Sequence, residues 1–559
     1  MQILHHARIH TMDDSCNQAD SLAFDQGQIV ALGSFADLSA RFPDAQCIDG
    51  QGRVVLPGFI DPHIHFLLGA VFQSSLDCSK EKIPNLLSLK SRLKKIAEET
   101  AHGQWIVGQG YDPLVYPGQK TPSRHDLDEA CPMNPVMLVH YSCHECAVNS
   151  MALERLGITV STPQPFGGEI EKDKRGLTGR LIEAASGPAM SLAVRDLYDQ
   201  LEEQVLSRAT EAEKLLFSLG ITRIGDPAVS SREEALYEKA IESGALSLSV
   251  TVYPCDDSNF YGIPFAKAAR KKIEMNQKLP MRGPIKFFLD GADRAALRIT
   301  FKEALNSFLE TARRVISTRS LDPLRILLRS PARLGSDFML HFGVKLAKID
   351  ELETCVRQAV ANGHCVAFHA LGNEAVEQAV GIMERVPYTH AAPARLEHAV
   401  FLRDKDIRAI GKNKMAVVTQ PYFLTHMGPE NVPSLPGLKQ LPLRSLMDQG
   451  VLVAGSSDWP VVSCDPLAAV ERAVTRESTC GEVLQKNQAI TVYEGLTMYT
   501  RNAAAVLGQG QVAGSLEPGK RADFIILSDD PFICDPRAIH KIRVEETYLG
   551  GARVFIRTQ

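Results

Sequence analysis

At 559 residues the chain is too long for one ordinary hydrophobic core, so two or three domains are expected. Its 45% hydrophobic and 23% charged content, with a mean hydropathy of -0.08, is that of a soluble globular protein, and a net charge of -5 gives no reason to expect nucleic acid or an anionic membrane as partner. The N-terminus has no basic region followed by a long apolar segment, the apolar stretch 54–72 carries Asp61, His63 and His65, and twelve cysteines lack regular spacing; a cytoplasmic protein with no signal peptide and no membrane span is expected.

Residues 1–55 read as short strands; 21–33, for example, read as strand, glycine turn and strand. The C-terminal residues 513–559 have the same texture, with strand-like 522–527 and 546–556 and a Gly550-Gly551 hairpin turn. Neither end has enough apolar surface to fold alone, so one small β-sandwich built from both is expected. Between them, in 56–512, apolar runs alternate with helical patterns such as Ser207–Leu219 and Asp350–Ala361. Eight runs read as strands: Val54–Ile60, Ile221–Gly225, Leu246–Tyr253, Pro284–Asp290, His364–His369, Ala394–His398, Ala416–Gln420 and Val451–Ser457. Strand and helix repeated eight times predict an α/β fold, a (β/α)8 TIM barrel, with its chemistry at the C-terminal strand ends. Two spacers exceed barrel loops. The first, about 70–205, has strands of its own (Gln104–Gln109, Pro135–His140) and a Gly167-Gly168 turn, and reads as an insertion after the first strand. The second, about 292–348, reads as largely helical and is rich in arginine.

The first barrel run ends in His63-Ile64-His65. Side chains two apart on a strand share a face, so both imidazoles would project the same way, as half of a metal site. Lys286, His369, His398 and Asp458 fall at or near the ends of later strands. Each has an ordinary reading alone: a chance His-x-His, a strand-end lysine, core histidines with backbone partners, an aspartate capping a helix. The Cys143-His144-Glu145-Cys146 run is the only Cys-x-x-Cys, and a zinc knuckle would need a second pair. His125, His140, His364 and His426 read as structural.

Four histidines, a lysine and an aspartate at strand ends resemble the amidohydrolase superfamily of metal-dependent hydrolases, in its branch of YtcJ-like proteins and N-substituted formamide deformylases. The resemblance runs over nearly the whole chain. It is carried by 56–65 (Leu-Pro-Gly-Phe-Ile-Asp-Pro-His-Ile-His), 124–128 (Arg-His-Asp-Leu-Asp), 149–153, 167–170, 178–183 (Thr-Gly-Arg-Leu-Ile-Glu), 286–291 (Lys-Phe-Phe-Leu-Asp-Gly), 368–372, 395–398 (Arg-Leu-Glu-His), Ser457-Asp458 and 514–524. It implies two divalent metals, zinc being the expected ion, one held by His63 and His65 and one by His369 and His398. It also implies that Lys286, carboxylated on its amine, bridges them, since a free ammonium cannot ligate a cation. Asp458 would touch metal and move the proton, and His144 would bind the substrate carbonyl. The implied reaction is hydrolysis of an amide, N-formyl, N-acyl or cyclic amide bond by metal-activated hydroxide. The sequence departs from the family at Asn373, where relatives have Asp, and at 292–298.

A mononuclear-metal deaminase of the same superfamily is the alternative; it would carry glutamate at the position of Gly372. A non-catalytic scaffold would have lost ligands, and none is missing. From Arg294 to Arg333 nine basic residues stand against three acidic ones. This predicts that Arg294 or Arg298 clamps an anionic small-molecule amide by paired hydrogen bonds, with the arginines beyond Arg313 forming a solvated helix face. A homo-oligomer stays open.

Overall fold

The structure, a computed structural model, describes residues 1–15, 18–73, 75–79, 81–112, 121–255, 257, 259–261, 281–319, 321, 324, 332–428, 432, 435 and 437–558. Eight strands, most of them separated by described helices, run through its middle: Phe59–Asp61, Ile221–Val229, Ser249–Pro254, Ile285–Phe288, Val366–Ala370, Arg395–His398, Ala416–Thr419 and Val453–Gly455. The first three, with the short Met281–Arg282, form one sheet, and the last five form another. Every pairing within the two is parallel. One seam is bridged by Gly283 N donating to Val252 O at 2.7 Å, the other by Ser457 N lying 3.2 Å from Asp61 Oδ1. This is a TIM-barrel-type α/β fold. Its strands are buried without alternation because both faces are covered; all five residues of Val366–Ala370 are buried. The helices show one apolar stripe. In Ile349–Ala361 the buried residues are Leu352, Cys355, Val356 and Ala359, at helical spacing. The Ser231–Glu242 helix starts at a reciprocal Ser230/Glu233 cap. Among the described residues no helix is long and apolar enough to cross a membrane.

The first expected barrel strand, Val54–Ile60, is two strands. Val54–Pro57 lies between Arg8–His10 and Phe524–Leu527 in a sheet fed by both ends of the chain, and only Phe59–Asp61 enters the barrel. The break falls at Gly58 because the backbone there presses on Thr222, whose side chain a Cβ at 58 would overlap. The 70–205 segment carries a six-stranded sheet in the order Gly168–Asp173, Gly176–Glu183, Glu145–Val148, Val136–His140, Ile106–Tyr111, Leu76–Asp77.

In the arginine-rich spacer the described residues include both helix and strand. The helix Phe301–Thr318 lies between short strands, the apolar alternation of Leu297–Ile299 pairing with Leu340–Phe342. Arg313 is exposed and Arg314 half-buried; Arg325 and Arg329 lie outside the described residues.

Candidate metal centre and active site

The barrel strands deliver their polar ends to one buried point. His63 follows the first strand, and its ring lies 5.0 Å from that of His398, at the end of the sixth. One ligand atom each from His63, His398 and Asp458 falls within 4.8 Å of the others, a group able to hold a metal ion. Lys286, inside the fourth strand, brings its Nζ to 3.0 Å from His63 Nε2. The His369 ring, from the fifth strand, lies 4.5 Å from that of His398. His65 caps the helix Phe66–Phe72 and brings its Nε2 to 3.4 Å from Asp458 Oδ1. His144 comes from the long first spacer, its ring 5.0 Å from His369. All six side chains expected at a metal, and His144, thus meet.

Sharp backbone turns make the meeting feasible. His398 (φ 78°), Ala399 (φ 50°), Asp458 (φ 59°), Cys143 (φ 61°) and Glu183 (φ 50°) all sit in the left-handed region. Each costs roughly 1–2 kcal/mol in a non-glycine residue. Such strain collects where side chains must be aimed rather than merely packed. Burial pulls the imidazoles down: His65 to about 4, His398 to about 3, and His369 well below its ordinary value, the last helped by the charges of His398, His144 and Lys286. Neutral imidazole is the form that ligates metal. Burial likewise brings the Lys286 amine down to about 8. Burial alone would raise the Asp458 carboxyl; attraction and hydrogen bonds from His63 and His65 outweigh it and hold it well below the usual range.

The residues fit a metal centre on a second count. Both ring nitrogens of His369 and Nε2 of His398 are buried with no hydrogen-bond partner. A buried polar atom left this way costs about 1–3 kcal/mol. A cation between the two rings would take one nitrogen from each, as a histidine-rich metal site does.

A second layer, which no local sequence pattern marks, holds the candidate ligands in place. Glu397, fully buried, accepts from His63 Nδ1 at 2.5 Å and pairs with Arg395. Arg395 in turn donates to Pro62 O at 2.8 Å and lies over the Tyr253 ring. His63 is therefore fixed through Nδ1, which leaves Nε2 to the centre. His398 Nδ1 is similarly held by Gln420 at 2.9 Å. Asp290 accepts backbone N–H groups of Ala296, Leu371 and Gly372 at 2.9–3.0 Å, tying two strand-end loops together, although burial pushes its carboxyl up to about 7. Glu183 accepts from His144 Nδ1 at 2.7 Å. The signal that could have found Glu397 is a glutamate and an arginine two apart in a short buried strand, where charge demands a partner.

A cavity of about 520 Å³ opens on His144, His369, His398 and Asp458. Its walls are apolar, with Leu297, Ile299, Phe342, Val400, Phe401 and Phe423 among them. His426, read as structural, also lines it. Arg294 and Arg298, the expected clamp, are not among the residues that line it. Arg294 Nη1 lies 3.4 Å from Glu169, while Arg298 pairs with Glu377 and lies 3.6 Å from Asp337. Both guanidinium groups thus have carboxylate partners from other elements. Asn373 donates to Arg298 O and accepts from Arg298 N, both at 3.0 Å; an aspartate could not make the first bond. A Cβ on Gly372 would overlap Ala296 O, so the deaminase glutamate has no room.

The model of the amidohydrolase family matches residues 46–555. The chain belongs to this family. This amidohydrolase is 28% identical over 565 residues to N-substituted formamide deformylase of Arthrobacter pascens, covering 99% of this chain and 98% of that protein. It is 26% identical over 564 residues to YtcJ of Bacillus subtilis (strain 168), covering 99% of each. Among solved structures it resembles an uncharacterized metal-dependent hydrolase from Pyrococcus horikoshii OT3, with a TM-score of 0.69, 22% identity, and coverage of 96% of this chain and 99% of that one. The amidohydrolase is an enzyme: a metal-dependent hydrolase of carbon–nitrogen bonds other than peptide bonds, acting on a small molecule.

Proposed function

We propose that the amidohydrolase cleaves the C–N bond of a neutral N-formyl or N-acyl amine carrying an apolar substituent. The observation that carries this is the apolar cavity ending on His144, His369, His398 and Asp458. A substituent packed against Ile299, Phe342, Phe401 and Phe423 leaves water without loss of hydrogen bonds, and its amide end reaches the polar cluster. The relative whose name specifies N-substituted formamides supports the formyl case.

His63, His65, His369, His398 and carboxylated Lys286 would hold two divalent ions, zinc suiting a histidine-rich site with an open position. When bound, such ions supply Lewis acidity and a water that ionises near neutral pH. Asp458, held ionised by His63 and His65, accepts the proton of the attacking water. Oxygen adds to the carbonyl carbon, the C–N bond breaks, and Asp458 returns the proton to the leaving amine. His144 binds the carbonyl oxygen. The products are a carboxylic acid, formic acid in the simplest case, and the free amine.

For the domains, the reading is a β-sandwich from 1–55 and 513–559, a barrel from 56–512, and an insertion at about 70–205. It is supported by a shared core in which Leu4, Leu22, Phe24 and Val55 pack with Phe524, Ile526 and Tyr548.

The test is amine release by zinc-loaded protein from N-alkyl formamides, N-acyl amines, matched N-acyl amino acids and cyclic amides. Release fastest from the apolar, uncharged members supports the reading. Faster turnover of the anionic members, or ammonia release from an amino-heterocycle with no amide cleaved, overturns it.

A further inference from the structure

Glu183 ends the strand Gly176–Glu183 and is joined to His144 twice. Its backbone N–H donates to His144 O at 2.7 Å, and its Oε2 lies 2.7 Å from His144 Nδ1. Ser186 in turn donates to Glu183 O through both its N–H and its hydroxyl, at 2.8 Å each. The Glu183 residue is 2% exposed. A carboxylate so deeply buried is costly to keep unless a specific partner needs it. The opposite side of the group rests on Gly291, where a Cβ would overlap the carboxylate. Gly291 follows the fourth barrel strand and Asp290, so the loop leaving the Lys286 strand has a hollow that the Glu183 carboxylate fills. The His144 ring is confined as well, 4.7 Å from Tyr261 and 5.0 Å from His369.

We infer that Glu183 is a positioning residue for the hydrolysis: by taking the Nδ1–H of His144 it fixes the ring and commits Nε2 to the substrate. The inference rests on the reading that His144 meets the substrate carbonyl. The physical ground is that an ionised carboxylate only accepts, so Nδ1 must carry a proton. Which nitrogen serves the reaction is set by the bond the other one makes. His144 lines the cavity with His369, His398 and Asp458, and with Nδ1 taken, Nε2 is the ring nitrogen left for a ligand there. Without Glu183 both tautomers and both ring orientations open up, and the substrate meets the right one only part of the time. The left-handed backbone at Glu183 and the glycine at 291 are the local features that place this carboxylate.

The experiment compares Glu183→Ala, which removes the acceptor, with Glu183→Gln, which keeps an accepting oxygen of the same reach. Both are assayed on the amide that zinc-loaded wild-type enzyme cleaves best. Glu183→Ala is expected to lower kcat about 10–100-fold, with KM within about threefold and metal content unchanged. Glu183→Gln should recover most of that loss. In a His144→Ala background, Glu183→Ala should change kcat by less than about twofold, because a residue that acts through another has nothing left to act on. A full additional loss in that background, a change confined to KM, or a Gln variant as poor as the Ala variant overturns the inference. If wild-type enzyme cleaves none of the amides, the functional reading fails by itself. The inference is then judged from nitrogen NMR of histidine-labelled protein, with the His144 signal assigned by its disappearance in His144→Ala. A protonated Nδ1 that persists in Glu183→Gln and is lost in Glu183→Ala supports the inference. An Nε2–H tautomer in the wild type overturns it.

Discussion

Replacing Glu397 by alanine tests whether the layer behind the metal ligands does the aiming. Glu397 is fully buried and holds two partners, Arg395 Nε and His63 Nδ1. Its removal leaves the Arg395 guanidinium, 1% exposed, without its counter-charge. Breaking one side of a buried ion pair costs about 3–5 kcal/mol. The second loss is the orienting bond to His63, and partners of this kind change metal affinity by about 10–100-fold. The two losses separate. Removing the arginine as well, in Arg395→Met/Glu397→Met, takes away the stranded charge and should restore much of the stability. It cannot restore the His63 bond, so weak metal binding should persist. The assays are denaturant unfolding of the metal-free protein and metal retention against a graded chelator. Stability within about 1 kcal/mol of wild type in Glu397→Ala, or unchanged metal retention in both variants, would refute the reasoning.

Asp458→Asn should keep its metal while kcat falls by about 10²–10⁴-fold, as expected for the group that carries the proton; metal analysis and steady-state rates check both parts. Arg294→Met and Arg298→Met should each leave the ratio of rates on matched acid and amide substrates within about twofold, since both side chains are paired outside the cavity. Gly69→Ala would drive a methyl into the Trp459 ring beside Asp458. Overpacking of this kind costs about 1–3 kcal/mol, and a lowered unfolding midpoint together with reduced kcat is expected.

The candidate ligands were legible in the sequence because each stands in or at the end of an apolar run, a local pattern. Strand period and the rule that barrels work at their strand ends placed His63, Lys286, His369, His398 and Asp458 together, and the family resemblance gave them their expected roles. The second layer was not legible, because its partners are far apart in the chain. Glu397 meets His63 across 334 positions, and only a fold in hand brings them together. Glu183 meets His144 across 39 positions, through two strands of the inserted sheet. The strand division at Gly58 depends on its contact with Thr222, which no local pattern encodes. The partners of Arg294 and Arg298 were illegible for the same reason. Their own stretch has few carboxylates, and Glu169, Glu377 and Asp337 reach them from other elements.

The most direct test of the central claim is a crystal structure of zinc-loaded protein grown with bicarbonate, with anomalous density to count the metals. The account predicts two ions, one beside His63 and His65 and one beside His369 and His398, bridged by a Lys286 side chain extended by a carboxylate. One ion with an unmodified Lys286 amine would contradict it.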